Sequence, residues 1–247
     1  MDTCKIKSFF SKTTCSIVLL SILATVLIVK VQSGANFDIP RITVHNYPVV
    51  YSMDEQLKKS QLIVKGKIVK QSEIFTVTPA SGVEGSNFSD YYLQVSDVLR
   101  GEASKTDLVP IRIEGGDTKE LSVVVECQPD IKIGDEVIAL LYKPNMGGAY
   151  NTDEDYYRIV GMDQGLYFIN NGDSKKTIAE NHRGESVDFK ELEKKMSAFT
   201  KKNPINYNWV YEEVMENVKK NLETGFISQE EYDSIIDEIG KYATVKK

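Results

Sequence analysis

The chain has 247 residues, of which 41% are hydrophobic and 27% are charged, and its formal net charge at pH 7 is −6. This composition is typical of a globular protein with a real core and excludes a chain that is disordered throughout. Acidic residues are in excess and no basic stripe is evident. The charge therefore argues against nucleic acid as a partner, because phosphate binding needs a basic surface.

Residues 1–35 are predicted to be an export signal or a membrane anchor. Three lysines precede an uncharged apolar run from Cys15 to Val29. The length of this run falls between a long signal-peptide core and the roughly 20 residues that span a bilayer. A cleaved signal and an uncleaved helix that holds the protein in the membrane both remain open. In either case, the positive residues before the run predict that the rest of the chain is extracytoplasmic.

The next segments lead from a linker into the first strand. Residues 36–51 contain two prolines and no sustained period, which predicts a linker that ends as an edge strand. Ser52 and Glu55 have the spacing of a capping box, so a short helix is expected from there. Residues 62–69 alternate between apolar and polar positions, and Gly66 within them indicates a bulge or a bend.

Alternation of period two continues along the chain and is clearest over residues 91–99, where Tyr91, Leu93 and Val95 share one face. Residues 76–90 are rich in small and polar residues and predict a long loop. Further strands are expected at residues 108–114, 121–126 and 136–142, and a last hairpin is expected at residues 156–169. The connections are too short for parallel crossovers, so an antiparallel β-barrel is the favoured core.

From Asp188 onward, the period becomes helical, which makes residues 186–247 a C-terminal helical region. Pro204 separates the first two helices, Gly225 ends the second, and the capping box that begins at Ser228 opens the third. The apolar stripes are Phe189, Leu192, Met196 and Phe199; Tyr211, Met215, Val218 and Leu222; and Tyr232, Ile235, Ile236 and Ile239. We expect the final amphipathic hairpin to pack on the barrel, with self-association as the alternative.

The segments LIVKGKIV, YYLQVSDVLRG, IRIEGG and GMDQGLYFI, in this order, resemble those of uncharacterised exported proteins of Gram-positive bacteria. Those proteins are similar to the netrin-like, metalloproteinase-inhibitor-like OB barrel. The resemblance implies an OB-like barrel over residues 52–172. It implies no inhibition of proteases, because that mechanism needs an N-terminal cysteine to chelate zinc, and none lies near the expected mature N-terminus. Residues 222–239 resemble the SHOCT helical hairpin, which implies oligomerisation.

The usual signatures of catalysis are missing, because the sequence has no nucleophile elbow, Walker loop, HExxH or paired CxxC. Distance along the chain does not exclude a nucleophile and base formed by Cys127 and His182, but a lone cysteine beside a valine run is more typical of a buried small side chain. Asn151, Asp153 and Asp155 have the spacing that begins a calcium loop, which then lacks the required glycine and glutamate. We therefore predict no catalytic, cofactor or metal residues.

Four of the 13 tyrosines are the candidate binding face: Tyr92, Tyr150, Tyr156 and Tyr157. Aromatic side chains are favoured at interfaces and in OB-type grooves, although β-strands are rich in tyrosine for packing reasons alone. The expected function is a non-enzymatic, secreted or membrane-anchored cell-envelope domain that binds a protein or an envelope ligand. Two alternatives stay open: a carboxylate-dependent cell-envelope hydrolase, which needs no histidine, and an oligomerising structural protein that uses the C-terminal helices.

Overall fold

The computed structural model describes residues 39–45, 49–78, 85–144, 155–170, 178–181 and 183–242, with side chains to residue 237. The predicted leader with its apolar run, Tyr150, Asn151, Asp153 and His182 lie outside these ranges. Within the ranges, the structure contains no helix of the length and apolarity that a bilayer span requires.

Strands dominate the described chain, and most of the helix lies at its C-terminal end. In order, the elements are β1 (Arg41–Val44), α1 (Met53–Lys59), β2 (Leu62–Gln71), β3 (Phe75–Val77), β4 (Ser86–Arg100), β5 (Leu108–Glu114), β6 (Gly116–Asp117), β7 (Ser122–Val125), β8 (Glu136–Tyr142), β9 (Arg158–Ile159), β10 (Leu166–Asn170), β11 (Ile178–Asn181), β12 (Ser186–Asp188), α2 (Phe189–Lys202), α3 (Trp209–Glu223) and α4 (Gln229–Tyr242). The predicted class, mainly antiparallel β with C-terminal helices, is confirmed.

The main sheet is antiparallel and has the strand order β12-β11-β10-β8-β2-β4-β3, with β5 paired to β4 and β9 paired to β8. The order has two ends, so the described strands do not form a closed barrel. One isolated parallel bridge links Ile111 of β5 to Tyr157, the residue before β9. A second, small sheet has the order β1-β7-β6, and β1 pairs with β7 in parallel.

The central strands β2 and β8 bury alternate side chains on both faces, which gives the described part of the chain two apolar clusters. On one face, Leu62 and Val64 pack with residues of β4, β5 and β8. On the other face, Ile63 and Ile138 pack against the helices. The second cluster includes Leu57 of α1 and Phe189, Leu192 and Met196 of α2. The helices α1 and α2 therefore complete the core.

Capping interactions define where the helices begin and end. Ser52 and Glu55 form the expected capping box at the start of α1. Asp188 caps α2, where its carboxylate accepts hydrogen bonds from the backbone of Lys190 (3.0 Å) and Glu191 (3.2 Å). Gly225 has a φ of +71°, which is the left-handed conformation of a residue that follows a helix. The capping box at Ser52 and the glycine at Gly225 thus mark helix ends where the sequence predicts them.

Two sequence predictions in the β region are wrong. The expected loop over residues 76–90 contains part of β3 and the first five residues of β4, because Phe88 is fully buried and pairs with Phe75. Moreover, β9 and β10 do not pair with each other as a hairpin, since each pairs with a different part of β8. The bulge at Gly66 is confirmed by a shift in the register between β2 and β4.

Candidate functional site

The helices α3 and α4, which we call the helical hairpin, differ from α2 in their packing. No residue of α3 is buried, and the described side chains of α4 are also at least partly exposed. Phe226, at the turn between the two helices, is 81% exposed. The half-buried apolar residues of the two helices, which we call the hairpin stripe, are Tyr211, Val214, Met215, Val218, Leu222, Tyr232, Ile235 and Ile236. The stripe is therefore incompletely covered by the chain itself.

The hairpin is attached to the β domain through the first turn of α3. The Trp209 ring lies edge-on to Tyr142, with 5.0 Å between the ring centroids. The ammonium group of Lys59 lies 4.1 Å from the Trp209 centroid and 4.8 Å from that of Tyr51. Lys59 also forms an ion pair with Glu213. These five residues, which we call the hairpin base, combine aromatic packing with a paired charge.

Both phenols of the hairpin base are held in the neutral form. Burial, followed by the nearby Glu213 carboxylate, raises the pKa of Tyr51 to about 12. The Tyr51 hydroxyl donates a hydrogen bond to Glu213, with 3.4 Å between the oxygens. Burial also raises the pKa of Tyr142. Because neither phenol carries charge at neutral pH, Lys59 and Glu213 are the charged pair of this cluster.

Arg100, at the end of β4, holds the segment that leads into the hairpin. Its side chain donates to the carbonyl oxygens of Ser60 (2.9 Å), Asn203 (3.2 Å) and Pro204 (3.0 Å). Arg100 is only 3% exposed, and burial lowers the pKa of its guanidinium. Its three acceptors are neutral, so a positive charge is held in the core at the point where α2 gives way to α3.

The predicted tyrosine face is only partly open to solvent, where it is described. Tyr92 is half-buried on β4, and the Lys70 ammonium lies 5.1 Å from its ring centroid. Tyr157 is half-buried and lies close to Lys143, whose ammonium is 5.2 Å from the ring centroid. Tyr156 is 3% exposed, so its ring serves as packing for a neighbouring side chain. A binding role for Tyr92 and Tyr157 stays a prediction.

The neighbour of Tyr156 is Arg112, which forms a buried ion pair. Its guanidinium donates to both carboxylate oxygens of Asp90, each at 2.8 Å. The guanidinium carbon lies 3.9 Å from the Tyr156 ring centroid and 4.8 Å from that of Phe75. A cavity of about 240 Å³ adjoins this cluster and is also lined by Arg158. The cluster is a satisfied structural pair, since the charges of Asp90 and Arg112 compensate each other.

A separate open groove of about 440 Å³ carries three carboxylates, those of Asp130, Asp135 and Glu180. Asp130 pairs with the Lys132 ammonium at 3.0 Å, and Asp135 accepts the Lys132 backbone N–H at 2.7 Å. The Asp130 side chain is 69% exposed. Carboxylates that work as general acids usually owe a raised pKa to burial. Asp130 is therefore a poor candidate for a general acid, whereas Asp135 and Glu180 are half-buried.

The other residues of chemical interest give no constellation in the described chain. Within it, no cluster of three or more His, Cys, Asp or Glu side chains has an arrangement that fits a metal ion. Asp155 is exposed and pairs with Lys143 at 2.6 Å. Cys127 is half-buried, with a backbone φ of +62°. The candidate functional site is therefore the helical hairpin with its base.

Searches with this chain against protein-family models, curated proteins and solved structures found no match. The sequence analysis identified the hairpin stripe but missed Arg100 and Trp209. A single tryptophan directly after Asn206, Tyr207 and Asn208, at the start of an amphipathic helix, was the available signal for a docking residue.

Proposed function

We propose that this protein is a non-enzymatic, extracytoplasmic domain of the cell envelope that binds a protein partner through the helical hairpin. The partner that the residues favour is a second copy of this chain. The observation that carries the proposal is the hairpin stripe, because amphipathic helices are stable when their apolar face is covered. Here α2 has that cover, whereas α3 has no buried residue.

The β domain serves as a rigid scaffold in this proposal, and its finer fold is an OB-like barrel. Support comes from the two hydrogen bonds at Tyr157. Its backbone N–H donates to Pro110 (2.9 Å), and its carbonyl accepts from Arg112 (2.8 Å). These bonds join β5 to the start of β9 and so connect the two sides of the group β5-β4-β2-β8-β9. Such a connection is expected of a partly open, five-stranded OB barrel.

The charges on α3 favour a second copy over an unrelated partner. Glu212 and Lys219 are one heptad apart, so they lie on the same side of α3, beside the stripe. A two-fold axis near Met215 would set α3 of two copies antiparallel. Glu212 of each copy would then face Lys219 of the other, twice in the same interface. The surface is self-complementary, which is the requirement for a symmetric dimer.

Charge exchange tests this arrangement directly. Lys219→Glu and Glu212→Lys each set like charges against each other, and we expect each to weaken dimerisation about fivefold or more. The variant with both exchanges restores opposite charges and should dimerise like the parent. Sedimentation equilibrium of the exported part over a range of concentrations gives the mass per assembly. A monomer at all concentrations would refute the proposal.

A matched control separates the interface from general charge effects. Lys190→Glu makes the same charge change on α2, where the side chain is exposed. It should leave the mass per assembly unchanged. Deletion of residues 206–247 removes the hairpin and should give a monomer. If the shortened chain forms assemblies with the same number of chains as the full chain, the hairpin is not the interface.

The extracytoplasmic location is a part of the proposal that rests on the leader. Cell fractionation with intact mass measurement tests it. A soluble product in the medium that begins near Gly34 or Asn36 would mean a cleaved signal. Full-length protein in the membrane fraction would mean a retained anchor. Recovery from the cytoplasm would contradict both forms of the proposal.

The hydrolase alternative is favoured by one observation, the three carboxylates around the open groove. Asp135 and Glu180 would be its acid and base, as in glycosidases that use two carboxylates. Release of soluble fragments from purified cell wall, lost in Glu180→Gln, would establish this function. Equal release from the variant and the parent would attribute the activity to a contaminant.

A further inference from the structure

A cavity of about 330 Å³ lies where the β domain meets the helical hairpin. It is bounded by α1, by the end of β4 and by the segment that leads into α3. Its lining includes Lys58, Lys59, Arg100, Pro204, Asn206 and Trp209. The volume is within the range of small-molecule sites in proteins, which is about 300–1,000 Å³. It joins two parts of the fold that are otherwise connected through few side chains.

The cavity is positively charged although the chain as a whole is acidic. Arg100 contacts three neutral carbonyl oxygens, and Lys58 forms no ion pair within the part of the chain that the structure describes. Lys59 is compensated by Glu213. Among the described lining residues, Glu55 is the one carboxylate. It accepts from the backbone N–H of Ser52 (2.7 Å) and its hydroxyl (2.6 Å), and its charge offsets one of the two positive charges of Lys58 and Arg100. The cavity therefore favours an anion.

The same cavity has an apolar side with a hydrogen-bond donor. Trp209 and Pro204 provide flat apolar surface. The indole N–H of Trp209 is buried and has no acceptor among the described residues. A buried donor without an acceptor costs free energy. Solvent does not reach this nitrogen, so its N–H meets a ligand oxygen only if the ring shifts. Aromatic and apolar surface with a few placed polar groups is the usual composition of a small-molecule site.

We infer that this cavity binds a small organic carboxylate with a flat apolar body. The carboxylate lies near Lys58 and Arg100, while the apolar body packs on Trp209 and Pro204. This ligand bridges α1 and the start of α3, and so it strengthens the attachment of the hairpin. The inference does not depend on how the hairpin meets its partner.

Trp209 is the only tryptophan of the chain, so its fluorescence reports on this cavity alone. The experiment titrates the exported part with benzoate, with benzamide as a neutral analogue and with inorganic phosphate as an anion without an apolar body. We expect a saturable change in Trp209 fluorescence with benzoate, and at least tenfold weaker binding of benzamide and phosphate. No saturable change with benzoate, or equal binding of either of the other two probes, would overturn the inference.

Substitution of two lysines tests whether the ligand carboxylate lies near Lys58. Lys58→Gln should weaken benzoate binding about fivefold, which is the effect of one partly exposed charge contact. Lys119→Gln removes the same charge at an exposed position outside the cavity and should not change the binding. Circular dichroism establishes that both variants are folded. Equal benzoate binding by the Lys58 variant and the parent would exclude the proposed position of the carboxylate.

Discussion

A charged side chain can be buried at low cost only if an opposite charge is buried with it, and Asp90 and Arg112 meet this condition. Their bidentate contact satisfies both charged groups, and the rings of Phe75 and Tyr156 lie near the guanidinium. The pair joins β4 to β5 across the sheet. Because removal of one partner leaves the other charge buried, the pair is a sensitive point of the fold.

Asp90→Asn should lower the free energy of unfolding by about 3 kcal/mol, because Arg112 would stay charged without a carboxylate. Asp97→Asn is the matched control, since it changes the same residue type on the same strand. Its partner Lys105 is 70% exposed, so the expected loss is below about 1 kcal/mol. Urea denaturation measures both. If both variants lose the same free energy of unfolding, the buried pair stabilises the fold no more than the exposed pair does.

Gly66 allows β2 and β4 to come close at the bulge. An added Cβ would lie 2.2 Å from the carbonyl oxygen of Gln94, which is part of the backbone and cannot move aside alone. We expect Gly66→Ala to lower the free energy of unfolding by about 2 kcal/mol or more. A Cβ at Gly134 would meet nothing within 4 Å, so Gly134→Ala should show only the strain of its φ of +105°, roughly 1–2 kcal/mol. Thermal denaturation that ranks the two variants in the opposite order would contradict this account.

Among the helices, α3 depends most on a few side chains, because its contact with the β domain is concentrated in the hairpin base. Tyr51 is part of that contact, and its raised pKa means that the folded protein favours the neutral phenol. Its contribution to stability is complete below the ordinary tyrosine pKa of about 10. It is lost as the pH rises toward about 12, since the unfolded chain ionises first. High pH should therefore loosen the hairpin base.

Tyr51→Phe tests this effect because phenylalanine keeps the ring and removes the titrating group. Between about pH 9 and about pH 11, the parent should lose more stability than the variant, by up to about 1 kcal/mol. The limit is low because Tyr51 is only half-buried, so solvent screens part of the effect. Urea denaturation of both proteins across this range gives the difference. A difference that does not change with pH would show that Tyr51 ionises as it does in the unfolded chain.

The whole molecule has a β domain that is complete only with α2. Phe189, Leu192 and Met196 are buried in the second apolar cluster, beside Ile63 and Ile138 of the central strands. Each fully buried side chain of this kind contributes about 1.5–3 kcal/mol. The free energy of unfolding of a domain is only about 5–15 kcal/mol, so loss of all three side chains would remove much of it. The helical hairpin makes no comparable contribution.

Two deletions of the exported part should therefore behave differently. Removal of residues 206–247 keeps α2 and the carbonyl acceptors of Arg100, and the midpoint of thermal unfolding should fall by only a few degrees. Removal of residues 189–247 also takes α2 away and should prevent cooperative folding. Circular dichroism and calorimetry distinguish these outcomes. A cooperative transition in the shorter chain would show that α2 is not part of the core.

Local structure was predictable where short-range signals decide it. The capping boxes at Ser52 and Ser228 and the β-rich composition of β5 and β8 depend on neighbouring residues, and these elements form as expected. The start of β4 was missed, since Ser86–Asp90 is polar in composition. It forms a strand because its partners are β3 and β5, which lie elsewhere in the chain.

The amino-acid sequence by itself determined the class of the fold, because the periods of two and 3.6 residues fix which faces are apolar. It also supplied the amphipathic helices that the proposed interface requires. Only the tertiary structure decided that α2 is buried whereas α3 is not, although both carry similar stripes. It alone brought Lys58, Arg100 and Trp209 around one cavity. These arrangements depend on contacts between residues that are far apart in the chain, and periodicity carries no information about them.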